Sequence, residues 1–455
     1  MDKPPSPFRV IIIGAGPIGL FLAHALTLAN IDYIILERHP SVLSDYGQII
    51  FTWPQSVRLL DQIGLLEKAQ RVAIPLRAKK RVYGCTGEVL TTSQFWGDME
   101  GNHGYPFLPI LRPDLIRLLY SNLKDKERRV RTSSEVIDIC TVPGGVRVHL
   151  KDGTVEHGSI VIGADGVHSK ARAIMQSLAE SKTPTTSNDL GKTYGKGSMV
   201  STFHGIFGQA SNKTLCIEDA VFFESRGAGT VIQCTATKES IHFASLTPLA
   251  TPEDGSVRRI YTAADMDQHA ASIARVSICP GVTFGDLWEH ADKSRCRKLN
   301  QEEGLLSNWY IGRIVLVGDS AHKSTSVNGL GLTCGMHSAA ALVNELQALF
   351  TSSNPMCAPG DIAIERALAR YQGTRYNEVE TIWKAGYAMV RETTSVTWSN
   401  WFWDRYILPW VDLEVLVWGL VVSLMLIRHG QALAYVPFEG REGFVSWRRR
   451  ARVAK

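Results

Sequence analysis

Residues 10–37 read VIIIGAGPIGLFLAHALTLANIDYIILE. Val10 to Ile13 are four β-branched residues in a row, dense enough for a buried parallel strand. Gly14, Gly16 and Gly19 follow in the order G-x-G-x-x-G. A helical apolar pattern then runs from Ile18 to Ala29, and Tyr33 to Leu36 reads as a second strand ending on Glu37. The three glycines do different things. Gly14 makes a tight turn, Gly16 lets backbone approach a pyrophosphate, and Gly19 lets the helix sit close to the strand. The helix start adds unpaired N–H groups and a positive dipole end for the phosphates. Glu37 is placed to accept from the ribose hydroxyls of an adenosine, and it would repel a 2′-phosphate. Strand, glycines, helix, strand and acid in one register predict a Rossmann-like α/β fold that holds an adenosine diphosphate.

The whole chain sets bounds on what surrounds that fold. Its 455 residues exceed one ordinary core, so two domains and an appendage are expected. A net charge of +5 is too modest at this size to suggest a nucleic-acid binder, and no basic helix supports one. The eight cysteines are scattered without a C-x-x-C pair, which argues for reduced thiols and against a zinc site or a disulfide framework. The N-terminus shows no apolar signal segment separate from the first strand, so the catalytic part is expected in the cytosol.

Two later stretches repeat the theme of a strand opening onto a ligand. In SIVIGADGVHSKAR (159–172) a strand runs into Gly163-Ala164-Asp165-Gly166 before a helix starts. In GRIVLVGDSAHKSTSVNGLGLTCGMHSAAALVNEL (312–346) a strand ends at Gly318-Asp319, a loop carries Gly329 and Gly331, and a small-residue helix follows. Between the two, residues 192–248 read as strands separated by turns, a largely antiparallel second sheet. Ser56 to Ala69 has helical spacing, 80–90 suggests a strand, 91–106 reads as a polar loop, and Arg112 opens a helix with Pro113 and Asp114 in its first turn.

The expected organisation is a cofactor domain over 1–180 with inserted strands and a loop at 80–106, then a substrate domain over 181–300. The cofactor domain returns over 301–350, a helical segment covers 351–397, and a Trp-rich apolar tail that associates with a membrane covers 398–455. Val415 to Ile427 is apolar apart from Gly419 and Ser423, but it is shorter than the roughly 20 residues that a spanning helix needs. Extending it back to Ile407 takes in Pro409, Asp412 and Glu414. A spanning helix followed by Arg428, Arg441, Arg448, Arg449, Arg450 and Arg452 would place the catalytic part outside the cytosol. A shallow anchor at 407–427 is therefore favoured over a transmembrane helix, with tryptophans at headgroup level and arginines near anionic lipid. An apolar helix packed on the protein is the alternative.

The ordered set G-x-G-x-x-G…Glu, G-A-D-G and V-G-D-S-A-H…G-x-G resembles the group A FAD-dependent monooxygenases of the aromatic-hydroxylase type, over residues 8 to about 350. The resemblance implies FAD, with Gly14, Gly16, Gly19 and Glu37 on its ADP half and Arg112 as the family's cofactor arginine. It further implies Asp165 and Gly166 as a motif serving FAD and NAD(P)H, and Asp319 as the acid on the ribityl chain. Gly329, Gly331 and Leu332 would lie beside the isoalloxazine ring, and Phe51 is counted with the cofactor-binding residues. NADPH or NADH would be a transient reductant, since only one complete fingerprint exists. The chain departs from the family pattern at Ser326, where proline is usual, and at Leu332 and Thr333, where glycine or asparagine is frequent.

Lys323 in GDSAHK, the length and the Trp-rich tail look most like fungal monooxygenases of meroterpenoid and indole-diterpene biosynthesis, which epoxidise a prenyl chain. Such a lipophilic substrate would suit a membrane surface. A phenol hydroxylase would instead need a group to deprotonate its substrate, for which Tyr194, His204 and Arg226 are the candidates, with sheet packing as the plainer role for each. A ring hydroxylase of salicylate-hydroxylase type, a non-oxygenating flavoprotein reductase and a non-enzymatic FAD scaffold are the other readings. No metal ligands are expected.

Overall fold

The computed structural model describes residues 8–44, 47–182, 199–352, 359–394, 397–407, 410 and 422–449. Its centre is a six-stranded sheet. Arg9–Ile13 pairs in parallel with Asp32–Leu36 on one side and with Ile160–Gly163 on the other. Ile160–Gly163 pairs in parallel with Ile314–Leu316, and short strands at Val130–Arg131 and Tyr310–Ile311 close the edges. Val10 to Ile13 are buried on both faces, as a β-branched run in a parallel sheet must be. The helix Pro17–Leu28 returns from the first strand to the second and packs beneath the helix Gly331–Ser352. Gly335 permits that approach, because a Cβ there would meet Ile18 Cδ1 at 2.6 Å.

A second sheet of eight strands stands beside the first. Its order is His322–Lys323, Arg297–Leu305, Val200–Ser211, Ser240–Asp254, Val231–Ala236, Val221–Arg226, Ala78–Tyr83 and Val89–Ser93. Neighbours are antiparallel except Ala78–Tyr83, which runs parallel to Val221–Arg226. The strands from the 80–106 insertion and from the 301–350 return thus belong to this sheet. The two sheets share chain segments because pairing partners are recruited from both halves of the sequence.

Two local expectations need correction. Residues 91–106 are not a loop throughout: Phe95–His103 is a helix, with Phe95, Met99 and His103 buried at a spacing of four. Gly104, at φ +74°, ends it. Ser56 to Ala69 is two helices, Pro54–Gln62 and Leu66–Val72, with Gly64 at φ +75° between them.

The tail divides into two parts. Trp398, Trp401, Phe402, Trp403, Tyr406 and Trp410 are exposed. Most of the apolar run, 411–421, lies outside the described residues. Among the described residues no helix is long and apolar enough to cross a membrane. From Val422 the chain returns to the cofactor domain, where Ile427, Leu433 and Trp447 are buried. Gln62 holds Leu433 through both backbone groups (2.8 and 3.2 Å), and Asn344 holds Ala432 and Ala434 (2.8 and 2.9 Å). The backbone N–H of Gln431 donates to His337 Nδ1 at 2.7 Å, and Tyr435 donates to the Ala25 carbonyl at 2.7 Å. The expectation that everything after 398 serves a membrane therefore fails for 422–449. Side chains on the helices beneath clamp that stretch down as a strap.

Candidate active site

The three quoted stretches meet at the carboxyl ends of adjacent parallel strands. Gly14 N donates to the Leu36 carbonyl (2.9 Å), Ala164 N to the Ile13 carbonyl (2.9 Å) and Val317 N to the Gly163 carbonyl (3.0 Å). Each strand end is thereby pinned to its neighbour, and the three turns face one crevice. Ligands of open α/β sheets bind in such a crevice.

The glycines show what the crevice admits. A Cβ on Gly19 would sit 2.0 Å from the Gly14 carbonyl oxygen, and one on Gly14, at φ +101°, would sit 2.8 Å from the Ala164 oxygen. Gly16 differs: a Cβ there meets nothing within 4 Å. Gly16 also caps the helix Pro17–Leu28 without a side-chain hydrogen bond, so the helix start is open toward that space. Open volume in front of uncapped N–H groups is what a pyrophosphate requires. Glu37 is buried behind the turn. Its Oε2 accepts from Ala15 N at 2.8 Å and its Oε1 from His39 N at 2.9 Å. These bonds hold the carboxylate against the glycine turn.

Asp165 caps the next helix. It accepts from Ser169 Oγ (2.6 Å), Lys170 N (2.7 Å) and Ala171 N (3.1 Å). Burial pushes its carboxyl up, while these hydrogen bonds pull it back down. Three residues on from Ser169, Arg172 is buried and donates to the Ser320 carbonyl at 3.2 Å and to the Val167 carbonyl. Arg172 therefore ties the second stretch to the third, a role for which the sequence offers no signal beyond its place in the first helical turn.

In the third stretch Gly318, at φ +70°, turns the chain into Asp319. Asp319 Oδ2 lies 2.9 Å from Lys323 Nζ. Arg112 opens its helix, with its backbone N–H donating to the Gln48 carbonyl at 2.8 Å, and its charge acts on Lys323. Gly329, at φ +62°, lies against Phe51; a Cβ there would be 2.7 Å from the ring. Gly331 starts the helix Gly331–Ser352, and a Cβ on it would meet nothing within 4 Å. Leu332 packs on the main core. The turns that carry Gly14, Gly16, Gly19, Asp165 and Asp319 thus stand side by side, with Glu37 bonded to the first of them and Phe51 packed against Gly329.

Beyond Phe51 stands an aromatic cluster that sequence reasoning misses. Phe51 stacks on Phe107 (centroids 5.5 Å apart) and meets Phe222 edge-on (5.3 Å), and Trp96 lies 4.2 Å from Phe107. Phe222 belongs to the second sheet, and Gln233 on the neighbouring strand donates to the Val327 carbonyl at 3.2 Å. The loop between Lys323 and Gly331 is therefore covered by the second sheet.

Comparison with known proteins decides what this arrangement is. The FAD binding domain family matches residues 8–215 and 265–355. The chain is 51% identical to "FAD-dependent monooxygenase srdH" of Neurospora crassa, over 98% of this chain and 100% of that one. The chain belongs to the FAD-dependent monooxygenases. It is also 32% identical to "FAD-dependent monooxygenase DEP2" of Fusarium langsethiae, over 98% of this chain and 83% of that one. Among solved structures it resembles Klebsiella pneumoniae HpxO complexed with FAD and uric acid. The TM-score is 0.71 at 20% identity, covering 92% of this chain and 97% of that one, a likeness of fold. The dinucleotide that such a chain binds is FAD.

The substrate-side candidates of this monooxygenase separate in the structure. Tyr194 lies outside the described residues. His204 faces away from the cofactor loop, against the helix Ala263–Ile273, with its ring 4.5 Å from that of His269. Strand alternation puts it with Ile206 on the face of the sheet opposite the one that covers the cofactor loop. Arg226 does lie on the covered face, two residues from Glu224 and ion-paired with Glu392. Glu224 is buried with Lys79 at 3.2 Å and Arg81 at 3.8 Å. Burial alone would raise its carboxyl, but Lys79, Arg81 and Arg226 hold it down at about 2. Arg226 is thus part of a buried ionic network that keeps Glu224 a carboxylate.

Proposed function

We propose that this monooxygenase places one oxygen atom on an alkene of a prenyl chain, using NADPH or NADH as the electron source. The observation that supports this reading most is the set of rings against Phe51. Trp96, Phe107 and Phe222 form an apolar wall at the end of the cofactor loop, and none of them can accept a proton. Alkene epoxidation needs no base on the substrate, whereas phenol hydroxylation does. FAD, when bound, supplies the redox chemistry and the activation of oxygen. The chain's own share is to bind, orient and exclude water. Gly16 and the open helix start would receive the phosphates, Glu37 the ribose and Asp319 the ribityl hydroxyls. Gly329 lets Phe51 close over the loop.

Ring hydroxylation is the second reading. Lys79 lies 5.9 Å from the centre of the Phe222 ring and Arg226 shares that strand, so a phenolate would find cations there. One experiment separates the two: incubate the holoenzyme with NADPH, oxygen and a prenylated phenol, and locate the added oxygen by mass spectrometry. Oxygen on the prenyl chain supports epoxidation, and oxygen on the ring supports hydroxylation. Loss of a double bond without oxygen sinks both.

The exposed rings of Trp398, Trp401, Trp403 and Tyr406 support docking at a lipid surface, where a prenylated substrate would partition. Replacing the three tryptophans with alanine should abolish flotation with phosphatidylserine-containing liposomes. Unchanged flotation, or none in the parent, overturns this part.

A further inference from the structure

Lys323 stands where the two sheets meet. His322–Lys323 pairs antiparallel with Gly304 and Leu305, the end of a substrate-sheet strand, so the side chain lies between the GD turn and that strand. Its ammonium is 2.9 Å from Asp319 Oδ2. Asp319 Oδ1 makes no hydrogen bond to a described residue, and a carboxylate has room for several. One oxygen is therefore held while the other stays free for a ligand hydroxyl. On the strand that pairs with Lys323, Glu302 is buried and also acts on the ammonium. His168 Nε2 is 3.7 Å from Glu302 Oε1; burial pushes the Glu302 carboxyl up from its ordinary range, and Lys323 and Arg172 pull it back down.

We propose that Lys323 is a positioning residue for FAD: its ammonium, ion-paired with Asp319 and within the field of Glu302 on the neighbouring strand, aims the Asp319 carboxylate at the ribityl chain and sets the positive charge that the flavin meets. The proposal rests on FAD occupying the crevice and not on the identity of the substrate. Burial disfavours the charged ammonium, but Asp319 and Glu302 outweigh it, so Lys323 stays protonated. With FAD held through Asp319, a cation paired to that carboxylate would attract the phosphates and favour the electron-rich, reduced flavin. Glu302 opposes both effects by neutralising part of that charge from the substrate sheet. The two residues therefore act with opposite sign on one property.

The test uses the holoenzyme with Lys323→Met, Lys323→Arg and Glu302→Gln. FAD dissociation is read by flavin fluorescence, and the midpoint potential by dye-coupled reduction. Losing a charged partner should weaken FAD binding about tenfold or more in Lys323→Met, because hydrogen bonds to charged groups are the strong ones. Its midpoint potential should fall. Glu302→Gln should raise the potential without weakening FAD, and Lys323→Arg should stay near the parent in both measurements. Shifts of the same sign in Lys323→Met and Glu302→Gln, or none in either, overturn the proposal. A parent enzyme that retains no FAD would instead overturn the cofactor assignment.

Discussion

Ser320 Oγ donates to the Gly163 carbonyl oxygen at 2.6 Å, joining two turns 157 residues apart in the chain. The same hydroxyl is 2.9 Å from the Val317 carbonyl, and Val317 N donates to it at 3.1 Å. One fully buried serine thus fixes the GD turn against the strand end that leads into Asp165. Its partners would be left desolvated by Ser320→Ala, which should cost about 1–3 kcal/mol in urea denaturation. The GD turn should loosen as well, so the purified variant should carry less FAD. A variant with an unchanged midpoint and full flavin content would show that the staple does not hold the site.

Gly16 and Gly19 lie in one motif but should fail differently. Gly19→Ala forces a Cβ to within 2.0 Å of the Gly14 oxygen, so the turn itself must move. That variant should be poorly soluble or strongly destabilised even without cofactor. Gly16→Ala has room for its methyl and should fold with the parent's apo melting temperature. Its methyl fills the space that a phosphate needs, so FAD affinity should drop about tenfold or more, as for a lost charge-assisted hydrogen bond. Equal FAD affinity in Gly16→Ala and the parent would contradict the placement of the pyrophosphate.

The difference between those glycines also shows what sequence can and cannot reveal. Gly14, Gly16 and Gly19 are readable because a turn, a phosphate approach and a helix–strand contact impose fixed spacing within one local stretch. Asp165 and Asp319 are readable as a strand followed by a turn, although their meeting depends on strand order. The cluster of Phe51, Phe107 and Phe222 leaves no pattern, since its rings come from three separate segments and share only a packing site. The helix Phe95–His103 is hidden by Gly97 and Gly101, which are poor helix formers outvoted by the burial of Phe95 and Met99. His204 looks like a chemical group in the sequence and is a packing partner of His269 in the fold.

That histidine pair predicts a pH response. Burial holds His269 down at about 3 and His204 at about 4, each also lowered by the nearby Lys298. An unfolded histidine titrates near 6.5, so the unfolded chain takes up protons that the folded one refuses. The stability that the two neutral rings contribute is full above pH 6.5 and is lost as pH falls toward 4 for His204 and 3 for His269. The slope is about 1.4 kcal/mol per pH unit for each such histidine. Between pH 6 and 4, His269→Gln should flatten the curve by about that amount. Parallel stability curves for variant and parent would mean that the ring is accessible to protons in the fold.

The C-terminal strap gives the sharpest contrast between a tail that serves a membrane and one that serves the fold. Ile427, Leu433 and Trp447 are each almost fully buried against the cofactor domain. At about 1.5–3 kcal/mol per large apolar side chain, their burial is comparable with the 5–15 kcal/mol net stability of a typical protein. Removing 422–455 would also strip partners from Gln62, His337 and Asn344, which now bond the strap's backbone. The truncated protein should be insoluble or devoid of FAD. The milder Leu433→Ala should stay folded but lose about 2–5 kcal/mol in denaturant titration. By contrast, replacing Trp398, Trp401 and Trp403 with alanine should leave the melting temperature within a degree or two, since these rings are exposed. A truncated enzyme that stays soluble, binds FAD and melts like the parent would restore the reading of the whole tail as a membrane-associating segment.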